Sequence, residues 1–257
     1  MKIAHISDLH FGSLSRPVTE ILMRHFDDDK PDLVVVSGDI TQDATCSEFE
    51  EAKAFFDLLP MPVFCIPGNH DLPGMDLERF YDPWGRYRRF ISQDLEPELR
   101  TDLVHLKGIN TARRVLAHWN WANGSVSRRQ CRDIRHAYAD ATAPWRVFVM
   151  HHPVMNASEM PLQVALFNRR RLLKCLDDTR VDIVLAGHQH HAYVENRLTG
   201  GHTTIFVNAS TTTSLRLRRQ PNGFNMLTFT DKAVRIDRLD LDGETFRIIE
   251  AVTHTKV

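Results

Sequence analysis

Residues 2–10 read KIAHISDLH, and this stretch decides how the rest of the chain is interpreted. Its first part, residues 3–6, is a short apolar run rich in β-branched residues, which predicts a buried strand. The run ends at Ser7, and the metal-binding side chains of Asp8 and His10 follow directly. Because alternate positions of an extended chain share a face, both side chains can turn toward one cation. The opening therefore predicts a strand that delivers metal ligands at its carboxyl end.

Strand and helix patterns alternate after this opening. Apolar positions at helical spacing and short β-branched runs follow one another, which predicts a mainly parallel sheet with helices on its faces. After Gly201 the pattern changes to short strands separated by turn dipeptides, which predicts antiparallel pairing and sheet packing on sheet. The predicted helices cover residues 18–26, 48–59 and 166–176, and the predicted strands cover 33–36, 63–66, 147–150, 181–186, 203–207, 226–230, 234–239 and 246–249.

Length and composition describe an ordinary globular protein. The 257 residues are ample for a sizeable core, and without a Pro, Gly or Ser-rich linker we expect a single domain over residues 1–257. The 32 basic and 33 acidic residues nearly cancel, so no nucleic-acid or membrane partner is expected. His5 and Asp8 interrupt the first apolar run before it could form a signal peptide, and no apolar stretch is long enough to span a bilayer. We therefore expect a cytoplasmic protein.

Five short segments each place a metal-binding side chain beside a predicted strand end. Ligands of parallel sheets collect beyond the carboxyl ends of the strands, so one rim can gather all five. Glycines at three of these turns allow the backbone to turn sharply and approach the metals closely. The segments are Asp8-Leu9-His10, Gly38-Asp39, Gly68-Asn69-His70-Asp71, His151-His152-Pro153 and Gly187-His188-Gln189-His190.

Seven side chains in these segments are predicted metal ligands. They are too many for one ion and suit two, provided that Asp39 bridges them. The carboxylate, amide and imidazole donors, without thiolate, favour Mn, Fe, Co, Zn or Mg over a structural zinc site. Two such ions can clamp a phosphoryl group and lower the pKa of a shared water. The predicted ligands are Asp8, His10, Asp39, Asn69, His151, His188 and His190.

His70 is predicted to stand outside the ligand set. It follows Asn69 directly and could donate a hydrogen bond to a phosphate oxygen or a proton to the leaving group, so both residues are predicted to contact substrate. Asp71 could orient the His70 imidazole. His152 and His191 each neighbour a predicted ligand, and we interpret them as supporting or surface histidines.

The five segments together closely resemble the five blocks of the calcineurin-like metallophosphoesterase superfamily, over residues 1 to about 191. Ser7-Asp8-Leu9-His10 and the double His look most like its class III cyclic-nucleotide phosphodiesterase branch. The resemblance implies an α/β (α+β) fold, a two-sheet β-sandwich flanked by α-helices, which agrees with the pattern above. It also implies that Asp39 holds both metals. One metal would further bind Asp8, His10 and His190, and the other Asn69, His151 and His188.

The function implied is a dinuclear metal-dependent phosphodiesterase in which a metal-bridging hydroxide attacks small phosphodiesters, cyclic nucleotides among them. On the same site, the alternative substrates are phosphomonoesters, glycerophosphodiesters, nucleotide-sugar pyrophosphates and nucleic-acid ends. An alternative of another class is a noncatalytic protein-binding scaffold, which would tolerate the loss of ligands that this chain retains. The sequence leaves the metal identities and the oligomeric state open, a homo-oligomer included.

Two further groups have open roles. Basic clusters at Arg128-Arg129, Arg169-Arg170-Arg171 and Arg216 with Arg218-Arg219 are predicted to be solvated faces, the alternative being that they steer a phosphate ester. The aromatic group Phe80, Tyr81, Trp84, Tyr87 and Phe90 is predicted to pack in the core, the alternative being that it covers a base or lipid chain.

Overall fold

The computed structural model describes residues 1–74, 77–115, 122–156 and 165–256. Their strands form two six-stranded sheets. The first sheet contains β1 (Lys2–Ile6), β2 (Leu33–Val36), β3 (Val63–Cys65), β10 (Gly223–Phe229), β11 (Ala233–Asp242) and β12 (Thr245–Thr255). The second contains β4 (Glu98–Arg100), β5 (Val104–Gly108), β6 (Trp145–Val149), β7 (Ile183–Ala186), β8 (Tyr193–Thr199) and β9 (His202–Asn208).

Both sheets are mixed, so the prediction of mainly parallel pairing holds for one half of the first sheet and for the four inner strands of the second. In the first sheet, β1, β2 and β3 run parallel, and β10 joins β1 from the other side in antiparallel register. In the second, β5, β6, β7 and β9 run parallel, with β4 and β8 antiparallel at the edges. The strands after Gly201 are therefore divided between the sheets: β9 extends the second sheet, and β10, β11 and β12 extend the first.

Helices cover the outer faces of this sandwich. They are α1 (Arg16–Asp29), α2 (Cys46–Leu58), α3 (Glu78–Tyr81), α4 (Gly85–Phe90), α5 (Arg128–Ala139) and α6 (Arg169–Thr179). One apolar cluster joins α1 and α2 to the first sheet, a second lies between the two sheets, and a third joins α5 and α6 to the second sheet. The sequence pattern predicted α1, α2 and α6, but no bounds were predicted for α5. It did not predict α3, α4, β4, β5 or β8, whose patterns are short or irregular.

Local sequence explains where the main helices begin and what they bury. On α1, Leu22 and Phe26 are fully buried, as the helical spacing predicted. Thr45 begins α2 through a capping box with Glu48, and Ser127 begins α5 in the same way with Gln130. These reciprocal bonds satisfy backbone donors that a helix start otherwise leaves unpaired.

The aromatic group divides between core and surface. Tyr87 is fully buried and its hydroxyl donates to the Cys65 carbonyl at 3.2 Å, while Trp84 is buried beside it. Phe90 packs partly buried against the same cluster, whereas Phe80 and Tyr81 are exposed. Within the described residues, no helix has the length and apolar character needed to cross a membrane.

Candidate metal centre

The five ligand-bearing segments meet at one edge of the sandwich. Asp8 follows β1, and its amide donates to the Gly38 carbonyl beyond β2 at 3.1 Å. On the second sheet, the amide of Gly187 beyond β7 donates to the carbonyl of His151 beyond β6 at 3.0 Å. A hydrogen bond joins the two sheets, because the His188 amide donates to Asp8 Oδ2 at 3.0 Å. The two sheets thus contribute to a single rim, as the sequence predicted.

Two glycines are required here because backbone passes close to the carboxylates. A Cβ added at Gly187 would lie 2.5 Å from Asp8 Oδ2 and 2.9 Å from Ser7 Cβ. A Cβ at Gly68 would lie 2.9 Å from Asp39 Cγ and closer still to the Asp39 amide nitrogen. Real Cβ atoms do not approach neighbours so closely, so a side chain at either position would displace a ligand.

Several ligand candidates adopt the left-handed backbone conformation that favours glycine. Each non-glycine residue in this region costs free energy and persists only where its surroundings enforce it, and such residues cluster at functional sites. Their side chains are thereby turned back toward the rim. The residues and φ angles are Asp8 (53°), His10 (51°), Asp39 (51°), His188 (67°) and His190 (52°).

One group of ligand atoms contains Asp8, His10, Asp39 and His190, all buried and within 4.8 Å of one another. His190 Nε2 lies 3.2 Å from Asp8 Oδ1 and 3.2 Å from His10 Nε2. His190 Nδ1 donates to the Arg216 carbonyl at 2.8 Å, which leaves Nε2 for a ligand. Donors at about 2.1 Å from a cation and at right angles lie about 3 Å apart, so these spacings fit one ion.

The second group is built around His151, Asp39, His188 and Asn69. His151 Nδ1 donates to the Ser37 carbonyl at 2.8 Å, and Nε2 lies 3.2 Å from Asp39 Oδ2. His188 Nδ1 lies 2.9 Å from Asn69 Oδ1. Asp39 Oδ2 is also 4.0 Å from His10 Nε2, so this one oxygen faces both groups. The other carboxylate oxygen of Asp39, Oδ1, accepts the His70 amide at 2.8 Å.

His152 is fully buried against the second group, but both of its ring nitrogens have protein partners. Nδ1 lies 2.7 Å from Thr111 Oγ1, and Nε2 donates to the Ala122 carbonyl at 2.8 Å. Although its position is close enough to His151 and His188 to form a three-histidine cluster, the hydrogen bonds direct its nitrogens away from a common ion. Of the two adjacent histidines, His151 is therefore the one with a nitrogen available.

Buried atoms without partners indicate that the site is built for cations. Asp8 Oδ1 and His151 Nε2 are buried and have no hydrogen-bond partner in the described part of the chain. Burial acts to lower the pKa of His151, but the Asp39 carboxylate outweighs it and raises the pKa to about 9. Burial also acts to lower the pKa of His190, but the neighbouring Asp8 carboxylate raises it. Each of these histidine nitrogens lies beside a carboxylate oxygen, and this donor set fits two divalent ions.

Asp71 does not contact the His70 ring, so the predicted orienting contact is wrong. Its carboxylate accepts hydrogen bonds from the amides of Gly68 at 2.8 Å, Ile40 at 3.3 Å and Thr41 at 2.9 Å. It therefore ties the turn after β3 to the turn after β2. His70 Nδ1 instead donates to the Gln42 carbonyl at 2.7 Å. The structure thus orients the imidazole through backbone, a partner that sequence spacing does not reveal.

Arg216 was predicted to lie on a solvated face, but the structure places it at this edge. Its guanidinium Nη1 lies 3.2 Å from His70 Nε2, and its carbonyl accepts from His190. A run of Thr and Ser residues precedes Arg216 and hydrogen-bonds to the first motif. This run was the sequence signal that could have indicated Arg216. The other basic clusters lie on exposed surfaces, at Arg128 and Arg129 on α5 and at 169–171 on α6.

A cavity of about 450 Å³ lies at the other end of the second sheet, near the starts of β6 and β9. Arg146, Asp182, His202 and Lys256 are among its lining residues, and the ligand candidates are not. This cavity is therefore separate from the metal site, whose ligand candidates are mostly buried.

Comparison with known proteins agrees with this geometry. A sequence model described as calcineurin-like phosphoesterase matches residues 1–192. A Synechococcus protein named probable cyclic nucleotide phosphodiesterase is 23% identical over 237 residues, covering 88% of this chain and 87% of its own. The glycerophosphodiester phosphodiesterase GpdQ of Enterobacter lignolyticus is 29% identical over 213 residues, covering 74% and 71%. A dimetal phosphatase from Danio rerio superposes with a TM-score of 0.74 at 13% identity, covering 99% and 98%, which shows a shared fold.

Proposed function

The chain belongs to the calcineurin-like phosphoesterase family and is a metal-dependent phosphoester hydrolase, and from that premise we propose that it is a dinuclear phosphodiesterase. The observation that carries this proposal is the position of Asp39 Oδ2, 3.2 Å from His151 Nε2 in one ligand group and 4.0 Å from His10 Nε2 in the other. A single oxygen between two groups of N and O donors is what a shared ligand requires.

The proposed ligand sets share this residue. Asp8, His10 and His190 hold one divalent ion, Asn69, His151 and His188 hold the other, and Asp39 holds both. When bound, the ions supply Lewis acidity that activates a water nucleophile and neutralises charge on the phosphoryl oxygens. The protein contributes fixed ligand directions: His190 and His151 are oriented by hydrogen bonds from Nδ1 to the carbonyls of Arg216 and Ser37.

The proposed substrate class is small phosphodiesters. The protein has 32 basic and 33 acidic residues, so its net charge gives no general attraction for a nucleic-acid polymer. Relatives named for cyclic nucleotides and for glycerophosphodiesters both cover most of this chain, and both names describe small diesters. Asn69 belongs to the second ligand group, and the His70 imidazole beside it marks the side of the centre where we propose that the phosphate binds.

Asp39→Asn tests the shared ligand. The amide retains an oxygen that can accept the His70 N–H, but it removes the charge that would hold two cations. We expect loss of metal, measured by elemental analysis, together with a loss of turnover of at least about 1,000-fold. The matched control is Asp43→Asn, an exposed carboxylate a few residues away. Full metal content and full activity in the Asp39 variant would contradict the bridging assignment.

Substrate profiling tests the reaction class. Protein of measured metal content is assayed with bis(p-nitrophenyl) phosphate and p-nitrophenyl phosphate, then with cyclic AMP and glycerophosphocholine. The proposal predicts a higher kcat/KM for diesters than for the matched monoester. Inactivity on every diester, with two ions bound per chain, would overturn it, and a preference for the monoester would assign the same site to phosphomonoester hydrolysis.

A further inference from the structure

The loop over residues 209–222 is fastened onto the first metal motif. Thr211 Oγ1 donates to the Asp8 carbonyl at 2.7 Å, and Thr213 Oγ1 donates to the Leu9 carbonyl at 3.1 Å. Further along, the Leu241 amide of β11 donates to the Asn222 carbonyl at 2.8 Å. The Thr and Ser side chains of this run are buried. The loop is therefore held at both ends, and a side chain between them has a defined position.

Arg216 lies in this loop and contacts the site in two ways. Its carbonyl accepts from His190 Nδ1 at 2.8 Å, which places its backbone directly behind a proposed metal ligand. Its side chain extends to the proposed substrate side, where Nη1 lies 3.2 Å from Gln42 Oε1 and 3.2 Å from His70 Nε2. The His70 ring in turn packs edge-on against His10, with ring centroids 4.8 Å apart. The guanidinium is thus held beside the metal centre by two partners.

These contacts determine which hydrogen-bonding role each nitrogen of His70 has. A carbonyl oxygen only accepts, so Nδ1, 2.7 Å from the Gln42 carbonyl, carries the proton. A guanidinium only donates, so Nε2 accepts from Arg216. In this arrangement the Nδ1 proton is held by the Gln42 carbonyl and Nε2 is occupied as an acceptor, so the ring offers no proton to a phosphate or a leaving group. Positive charge at this point comes from Arg216.

In the described part of the chain, this charge has no acidic partner. Within the described ranges, no carboxylate lies within ion-pair distance of the Arg216 guanidinium, and the bonds of its side chain involve only Nη1. By contrast, Arg197 and Arg238 have carboxylate partners in Asp177 and Asp240. A half-buried, unpaired guanidinium with free Nε and Nη2 donors is suited to an anion with paired oxygens.

We propose that Arg216 binds the non-bridging oxygens of the substrate phosphoryl group, with His70 and Gln42 as positioning residues that hold the guanidinium. This inference rests on the proposed function, because the phosphoryl group is the substrate of the same centre. It assigns to Arg216 the contact with the phosphate oxygens that was predicted from the sequence for His70. No bond is formed or broken by these residues: they supply hydrogen bonds and charge to the phosphoryl group.

The test compares Arg216→Ala with Arg218→Ala, whose arginine lies on the same loop but is exposed to solvent. Binding of inorganic phosphate to each metal-loaded protein is measured by titration calorimetry, and kcat and KM are measured with bis(p-nitrophenyl) phosphate. A charged, forked contact predicts phosphate affinity weakened about 10- to 100-fold in Arg216→Ala at unchanged metal content, with Arg218→Ala equal to wild type. Arg216→Lys should recover only part, because ammonium is a point charge.

Two further measurements distinguish substrate binding from structural support. Guanidinium ion added to Arg216→Ala should restore part of the turnover, whereas Arg218→Ala and wild type should not gain. His70→Ala should retain its metal, and the double variant with Arg216→Ala should be no worse than Arg216→Ala alone, because a positioning residue acts through its partner.

Three results would overturn the proposal. The first is equal phosphate affinity in Arg216→Ala and Arg218→Ala. The second is loss of metal from Arg216→Ala, because the side chain would then support the centre and not the substrate. The third is additivity of the His70 and Arg216 effects. Failure of the proposed function is a separate result: wild-type protein with two ions bound would hydrolyse no diester, while the phosphate titrations would still report on Arg216.

Discussion

Gly187→Ala gives a direct test of how the two sheets are joined at the metal centre. The backbone of Gly187 is outside the left-handed region, so alanine adds a methyl group without backbone strain. That methyl carbon would lie 2.5 Å from Asp8 Oδ2, 2.9 Å from Ser7 Cβ and closer still to Ser7 Oγ. Rotating the Ser7 side chain relieves only the last contact. The turn after β7 must therefore separate from the turn after β1.

The size of the effect follows from the required displacement. Moving Asp8 Oδ2 from 2.5 Å to an ordinary contact of 3.4 Å requires about 0.9 Å. Asp8 also accepts the His188 amide through this oxygen, so the shift disturbs ligands on both sheets. Overpacking of this kind costs ~1–3 kcal/mol, which corresponds to a melting temperature lower by about 5 °C for a chain of this size. A displacement near 1 Å at a reacting centre lowers turnover by about 100-fold.

The assay combines thermal unfolding, metal analysis and turnover of a chromogenic diester. Gly74→Ala is the matched control, because its added methyl would contact none of the described residues and its backbone is also outside the left-handed region. Adding Ser7→Ala to the Gly187 variant should restore part of the stability but little activity, because the Asp8 contact remains. If Gly187→Ala keeps wild-type stability, metal content and turnover, the two sheets are not in close contact at this point and the reasoning fails.

Three further predictions concern pH, metal and the core. Burial lowers the pKa of His5 to about 3, so as pH falls below 6.5 the unfolded chain binds this proton and the folded chain does not. His5 by itself should therefore lower the free energy of unfolding by ~2 kcal/mol between pH 7 and pH 5. Urea unfolding of chelator-treated wild type and His5→Asn checks this, and equal pH slopes would count against it. Chelation should lower the melting temperature, because buried Asp8 Oδ1 and His151 Nε2 then lack partners. Manganese at about 100 times its Kd should restore ~2.7 kcal/mol of unfolding free energy. An unchanged melting temperature on adding metal would refute the fit of the site. Leu22→Ala, at a fully buried position of α1, should lower the free energy of unfolding in urea by ~2–5 kcal/mol. The exposed control Arg24→Ala should lower it by less than ~0.5 kcal/mol. Similar values for both variants would contradict the assigned helix face.

Much of the fold was predictable because its central strands and three long helices carry strong periodic patterns. Leu33–Val36 and the buried face of α1 appear in the structure as the apolar spacing predicted. The pairing of the later strands was not predictable in the same way. His202–Asn208 and Gly223–Phe229 look alike as sequence, yet one joins the second sheet and the other the first. Strand partners depend on contacts between distant residues, which local patterns do not encode.

The sequence by itself predicted the donor set, because each motif combines a strand end, a tight turn and a side chain that can bind metal. Five such segments in order also indicated the family. Only the tertiary structure decided which nitrogen of each histidine is available, as the carbonyls of Ser37, Ala122 and Arg216 show. It also decided that Arg216, remote in sequence from the motifs, lies against His70. A hydrogen bond to a backbone atom from a distant loop leaves no pattern in the sequence, and these bonds determine which groups are free for metal or substrate.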